Sequence, residues 1–369
     1  MSIGSTIDEL DTPRVLIDLD VLERNLERMA QFAREHGVKL RPHAKSHKTI
    51  GVATRQRAAG CTGLTVAKLD EAEAFLDSGF SDLFIANEVV GLDKWRRLTG
   101  LQHRGRVAVG IDSQHAADGL DAAARADGVE VPVLIEVDSG LGRAGVKPGP
   151  AALALAEHLT ELKSLRLDGL FTHAGHAYGA VSPEDVARIG RLEGEVLVES
   201  AELLREHGIS CDVVSVGSTP TALHCGAVAG VTEIRPGNYV FYDRMQVGLG
   251  VASLDDCSLS VLARVISRPQ PDRAVLDAGS KTFALDRGAH GMDALAGFGQ
   301  DRQHGLILER LSEEHAVVRV GDQTVDVGDR LRIVPNHACT VANLAEVLLG
   351  VRADRVCEVM PVLVRGGGR

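Results

Sequence analysis

A chain of 369 residues with 44% hydrophobic and 25% charged side chains has the make-up of a globular protein and is long enough for a large α/β barrel plus an appended domain. Its 51 acidic residues against 40 basic ones, a formal net charge of −11, argue against a nucleic-acid or membrane partner, because the net field repels both. The N-terminus has no basic segment followed by an apolar run, and no window approaches ~18 uninterrupted apolar residues, so neither a secretory signal nor a membrane span is predicted.

Aromatic residues make up only 3% of the chain, so the core must be built from Val, Leu, Ile and Ala. Six scattered cysteines (Cys61, Cys211, Cys225, Cys257, Cys339, Cys357) share no framework spacing, and free thiols in a reducing cytoplasm are expected.

In chain order, a strand-like VLID (Val15 to Asp18) and a helix around Leu22 to His36 come first. Eight short β-branched runs follow, at Val38–Arg41, Gly63–Ala67, Leu83–Asn87, Arg106–Ile111, Pro132–Val137, Asp168–Thr172, Val213–Val216 and Thr232–Arg235. Helical patterns lie between them, such as LDEAEAFLDSG (Leu69 to Gly79) and the long run from Asp185 that stops on Gly208. Strands alternating with helical crossovers predict an α/β fold, a (β/α)8 TIM-type barrel, with an open doubly wound sheet as the runner-up that eight units without GxGxxG after the first strand disfavour. From about Val251 the runs alternate apolar with polar residues and are broken by Gly, Pro and Asp, which predicts a mostly antiparallel β domain with little helix before NLAEVLLG. The expected division is residues 1–20 joining the β domain, 21–250 as the barrel and 251–369 as the β domain.

Catalytic groups of such barrels sit on the loops that follow the strands. The stretch RPHAKSHKT crowds Arg41, His43, Lys45, His47 and Lys48 behind the first barrel strand, and these cations disfavour protonation of Lys45. EVDSGLGRAG, with Arg143, follows the fifth strand. THAGHAYG, with His173, His176 and Tyr178, follows the sixth. SVGSTPT, with Ser218 and Thr219, and RPGNY, with Arg235, Gly237, Asn238 and Tyr239, follow the seventh and eighth. Singly these are turns; at the last two barrel strands together they predict a phosphate cradle. A cradle facing a lysine fits pyridoxal 5'-phosphate, which needs an amine and an anion site. In the C-terminal region, His337 and Cys339 lie two apart in VPNHACTVANL. Read as a strand, that spacing puts both on one face, able to share a metal ion, although an isolated pair of this kind is usually without function.

RPHAKSHKT resembles the lysine motif of the D-serine dehydratase and D-threonine aldolase family, pyridoxal-phosphate enzymes of fold type III related to alanine racemase. VLIDLDVLERNL, LTVAKLDEAEAF, EVDSGLGRAG, DVVSVGSTPT and EIRPGNYVFYD extend the resemblance along essentially the whole chain. It implies Lys45 as the Schiff-base lysine and Arg143 as a partner of the cofactor's phenolic oxygen. It further implies Arg235 near the ring nitrogen, Ser218, Thr219, Gly237 and Asn238 on the phosphate, with His173 and Tyr239 beside the cofactor. His337 and Cys339 become ligands of a divalent metal, zinc by the softness of the thiolate, with manganese as the alternative.

The implied activity is that of a lyase on small 3-hydroxy-D-amino acids. The first expectation is D-serine dehydratase-type loss of water, giving a 2-oxo acid and ammonia. The alternative is D-threonine aldolase-type cleavage to glycine and an aldehyde, with His176 or Tyr178 as base. Cys339 and Tyr178 match the dehydratase pattern, whereas His176 departs from it. A non-catalytic pyridoxal-phosphate carrier is a third reading, against which the β domain speaks. A racemase would need a tyrosine from the β domain, and all three tyrosines precede Val251. A homodimer is expected by analogy.

Overall fold

The computed structural model describes residues 3–288, 295–366 and 368. Strand β1 (Arg14–Asp18) leads into the helix Leu19–His36. That helix begins three residues ahead of the sequence prediction because the Asp18 carboxylate accepts the N–H groups of Asp20 and Val21, and it stops on Gly37 at φ 65°.

The barrel strands are β2 (Lys39–Leu40), β3 (Leu64–Val66), β4 (Asp82–Glu88), β5 (Arg106–Ile111), β6 (Val131–Glu136), β7 (Leu165–Phe171), β8 (Val213–Val216) and β9 (Glu233–Ile234). Among the described residues they form one eight-stranded parallel sheet, in the order β2-β9-β8-β7-β6-β5-β4-β3. All eight predicted barrel strands are present, the first and last reduced to two residues. Strand β6 is buried at every position, as expected of a strand with helices on one face and a filled barrel on the other. The ring closes between β2 and β3 through a single bridge, His43 to Thr65. There Thr62 and Thr65 donate their N–H groups to the carbonyls of Leu40 and Pro42, while Pro42 has no N–H to return.

Phe84 and Phe171 plug the barrel edge to face, centroids 5.0 Å apart. Gly110 makes room for them: a Cβ there would lie 2.7 Å from the Phe171 ring. Arg235 rides above both rings, 5.8 and 5.3 Å from their centroids.

The second sheet contains β10 (Leu259–Gln270), β11 (Arg273–Leu276), β12 (Gly299–Asp301), β13 (Leu308–Leu311), β14 (Ala316–Arg319), β15 (Arg330–Pro335), β16 (Val347–Arg352) and β17 (Arg355–Pro361). Strand β1 enters it between β10 and β16, antiparallel to the first and parallel to the second. The other described pairings in this sheet are antiparallel. One prediction fails here. VPNHACTVANL is not a continuous strand: β15 ends at Pro335 and a helix runs over Ala338–Leu344. His337 stands extended ahead of that helix and Cys339 lies in its first turn. The following LLG belongs to β16.

Candidate active site

A cavity of about 600 Å³ opens where the barrel strands end, between the barrel loops and the helix Ala338–Leu344. Its wall includes Lys45, Arg143, His173, Ser218, Arg235 and Gly237, and also Thr219, Asn238, Tyr178, His337 and Cys339. Eleven residues singled out in the sequence therefore share one space. Two do not reach it. The His176 ring packs against Gly140, within 3.2 Å of where a Cβ would stand, with its Nδ1 buried and without a hydrogen-bond partner among the described residues. The Tyr239 phenol is buried behind the wall and accepts from Gln56 at 3.2 Å; its backbone N–H donates to Thr219 Oγ1 at 3.1 Å.

The basic stretch resolves into separate tasks. Arg41 turns away from the cavity and gives its Nε to Glu233 at 2.8 Å. Its two terminal nitrogens go to Asp82 at 2.9 and 3.2 Å. Lys48 pairs with Glu71 at 3.2 Å. His47 is buried, which pushes it down to about 4, and burial together with Lys45, Arg235 and His173 holds His43 well below its ordinary value. Lys45 is left with no side-chain partner among the described residues, its side chain presented to the cavity. Its amine is held below the usual lysine range by burial first, then by Arg143 and Arg235, against the opposing pull of Cys339 and Glu71. The sequence-adjacent cations are thus not the ones that act on it: Arg41 and Lys48 have their charges matched, and the effective cations come from other strands. Asn343 donates to the Lys45 carbonyl at 2.9 Å and fixes the turn that carries it.

The cradle is formed by the turns after β8 and β9. Ser218 and Thr221 join their hydroxyls at 3.0 Å. The backbone N–H groups of Thr219, Gly237 and Asn238 find no protein acceptor among the described residues. Gly237 is required by close approach, since a Cβ would lie 2.7 Å from Ser46 Oγ and 3.1 Å from the His43 carbonyl. Unpaired donors around a space only glycine leaves open fit a phosphate group, and Lys45 on the same cavity fits an aldehyde carbon.

On the β-domain side, His337 Nδ1 is 2.5 Å from Asp286, which orients the ring, and the Cys339 thiol interacts with the same imidazole. A carboxylate behind an imidazole is a common support for a metal ligand. Among the described residues no group of three or more His, Cys, Asp and Glu is arranged for a metal. Tyr178 stands nearby, its hydroxyl accepting from Gln246 at 3.4 Å. Burial raises its pKa, and Cys339 and Asp243 add to the effect. Asp243 accepts from Asn238 Nδ2 at 2.6 Å, the Ala338 N–H at 2.9 Å and the Gln246 N–H at 3.1 Å, tying the cradle to the His337 turn.

Sequence reasoning missed one pair entirely. Glu136, at the end of β6, lies near Glu88 at the end of β4, and burial followed by that neighbour pushes Glu136 well above the usual carboxylate range. Arg143 Nη2 lies 3.4 Å from Glu136. EVDSG begins with Glu136, but nothing in the sequence joins it to a residue 48 positions earlier.

Fold and site define an α/β-barrel protein in which a lysine amine, turns with unpaired backbone N–H groups and a His/Cys pair from the second sheet's side line one cavity. Residues 17–245 match the family model "Alanine racemase, N-terminal domain" and residues 258–351 match "Putative serine dehydratase domain". The chain belongs to this fold-type III pyridoxal-phosphate family. It is 40% identical to a D-threo-3-hydroxyaspartate dehydratase of Delftia sp. (strain HT23), over 95% of this chain and 96% of that protein. It is 36% identical to a D-threonine aldolase of Arthrobacter sp, over 99% and 96%. The crystal structure of D-threonine aldolase from Filomicrobium marinum superposes with a TM-score of 0.92 at 33% identity, covering 99% of both chains. No helix among the described residues is long and apolar enough to cross a membrane.

Proposed function

We propose that this chain is a pyridoxal-phosphate- and metal-dependent lyase that removes water from 3-hydroxy-D-amino acids, giving a 2-oxo acid and ammonia. The observation that carries the reading is Lys45: an amine without an acidic partner, held below its ordinary pKa, between a phosphate-sized cradle and the His337/Cys339 pair.

Ser218, Thr219, Gly237 and Asn238 would hold the cofactor's phosphate, Arg235 and Arg143 would flank its ring, and Lys45 would carry it. When bound, pyridoxal phosphate supplies an electron sink conjugated to the substrate's Cα. His337 and Cys339 would hold a divalent metal, zinc by thiolate softness, which supplies Lewis acidity toward a hydroxyl. Lys45, once free, takes the proton from Cα. Tyr178 keeps its proton through burial and faces the corner that Cys339 occupies, so it serves as a donor to the departing oxygen. Asp286 holds the His337 ring in place, and Asp243 keeps the cradle and the metal turn in register. His176 faces Gly140 and takes no part.

The reading includes a cytoplasmic homodimer. Six free thiols fit a reducing compartment, and exposed Val90, Leu92, Val181 and Leu285 offer apolar surface to a second copy.

The test incubates the enzyme with D-serine and with D-threonine and identifies the products. A 2-oxo acid that disappears in Lys45→Ala, together with loss of the protein's visible absorbance in that variant, is the expected result. Glycine from D-threonine without any 2-oxo acid would replace this reading by retro-aldol cleavage, and an unchanged absorbance spectrum in Lys45→Ala would remove the cofactor.

A further inference from the structure

Behind the cradle stands a buried carboxyl that the chemistry above leaves unused. Glu193 lies on the helix Pro183–Glu206, which packs against β7 and β8 from outside the barrel, and it is 1% exposed. Its Oε1 accepts two backbone N–H groups, that of Ala174 at 3.1 Å and that of Gly217 at 3.0 Å. Ala174 follows His173 in the turn after β7, and Gly217 precedes Ser218 in the turn after β8, so one oxygen ties together two lips of the cavity. The other oxygen, Oε2, is buried with no hydrogen-bond partner among the described residues, and the Thr221 side chain lies near the carboxyl. A bare charge in that position is costly, whereas a carboxylic acid asks only for one acceptor for its proton.

Thr221 leads from this carboxyl to the cradle. Its Oγ1 accepts the Ser218 N–H at 3.2 Å and meets Ser218 Oγ at 3.0 Å, a contact in which either hydroxyl can donate. The choice decides what Ser218 shows to the cavity, because a hydroxyl has one proton and two lone pairs. With Glu193 ionised, Thr221 turns its proton to Oε2, Ser218 donates to Thr221, and a lone pair faces the cavity. With the proton on Oε2 the order reverses: Oε2–H turns to Thr221, Thr221 donates to Ser218, and the Ser218 proton is free for an anion. Thr221 is satisfied in both orders, so the state of Glu193 selects between them. Burial raises this carboxyl, against the opposing pull of Thr221, the Gly217 and Ala174 N–H groups and Arg235. Arg235 is itself answered by Glu233 and Glu136 as well as by Glu193, and the Cys225 thiol on the same side is pushed up by burial.

We infer that Glu193 is a positioning residue that bears a proton on Oε2 and, through Thr221, turns the Ser218 hydroxyl toward the cavity as a donor to phosphate. The inference rests on the pyridoxal-phosphate reading above and extends it to how the cradle is polarised from outside the barrel.

The experiment titrates the protein with pyridoxal 5'-phosphate and with pyridoxal, which lacks the phosphate, and follows absorbance in the native chain, Glu193→Gln and Glu193→Met. The ratio of the two affinities isolates the cradle, since a general loosening of the structure weakens both ligands alike. Glu193→Met is expected to lower the ratio by roughly 2- to 13-fold, the effect of one misplaced hydrogen bond. Glu193→Gln is expected to return it to within about twofold of the native chain, because the amide oxygen accepts the same two N–H groups and the amide nitrogen donates toward Thr221. The infrared difference spectrum of native holoenzyme minus Glu193→Gln is expected to contain the carbonyl band of one protonated carboxyl at neutral pH. A missing band overturns the assignment, and so does a ratio that Glu193→Met leaves unchanged or that Glu193→Gln lowers as far as Glu193→Met. Should Glu193→Met fail to fold, the band and the Glu193→Gln ratio decide between them. Failure of the underlying cofactor reading looks different: the native chain does not prefer pyridoxal 5'-phosphate to pyridoxal and shows no absorbance that depends on Lys45.

Discussion

Replacing Arg41 by Met separates the structural part of the basic stretch from its chemical part. Arg41 donates its Nε to Glu233 at 2.8 Å and grips Asp82 with two nitrogens at 2.9 and 3.2 Å. Asp82 keeps a second partner in Arg106 at 2.9 Å and is partly open to water, so its loss adds little. Glu233 is 3% exposed and, among the described residues, retains the Ser215 hydroxyl at 2.6 Å as its side-chain hydrogen-bond partner, with the buried Arg235 charge interacting with it. Breaking a buried pair from one side costs about 3–5 kcal/mol, mostly the desolvation of the abandoned charge. The hydrogen bond that survives places Arg41→Met near the lower end, about 3 kcal/mol. Neutralising the abandoned group in Arg41→Met/Glu233→Gln should restore about 2 kcal/mol of that loss. Urea unfolding followed by circular dichroism reads both values, provided the slope with denaturant is the same in all three proteins. A loss below about 1 kcal/mol in the single variant, or a double variant no more stable than the single, would refute the claim that Glu233 needs Arg41.

Two further outcomes follow from the cavity. Gly237→Ala places a methyl 2.7 Å from Ser46 Oγ; overpacking of about 1–3 kcal/mol should weaken pyridoxal phosphate binding by roughly 5- to 150-fold in an absorbance titration, and an unchanged affinity would remove the cradle. The Glu136 carboxyl is shifted upward by burial and by Glu88. Above the ordinary glutamate value of about 4.3 the unfolded chain therefore releases a proton that the folded chain keeps. Stability contributed in this way is complete below that value and is lost as pH rises through the folded pKa. Urea midpoints measured from about pH 5 to about pH 9 should fall more steeply in the native chain than in Glu136→Gln, and parallel profiles would refute the upward shift of Glu136.

The barrel could be read from the sequence because its parallel strands are short β-branched runs at regular spacing, and because strand direction alone sends the following loops to one rim. Lys45, Arg143, Ser218 and Gly237 were therefore legible as neighbours before any coordinate. The partners were not. Arg41 reads as one of five local cations, but its charge is answered by Glu233, 192 residues away, through a contact that only barrel closure creates. Asp286 lies 51 residues before the histidine it orients. The His337 and Cys339 spacing suggested a strand, whereas β15 ends at Pro335 and a helix starts at Ala338. The pair still meets because the first turn of that helix folds Cys339 back toward the preceding residues. His176 and Tyr239 were displaced from the cavity for a common reason: in a 3-10 turn, neighbouring side chains point to different sides.

Asp243 belongs to the barrel chain but receives hydrogen bonds from both the turn that would grip phosphate and the turn that presents the thiol. Shuffling this barrel onto a foreign C-terminal half would strand that carboxylate in a dry interface without its Ala338 donor. A chimera engineered at their junction would keep the Asn238 and Gln246 donors to Asp243 and must supply a replacement for the Ala338 N–H.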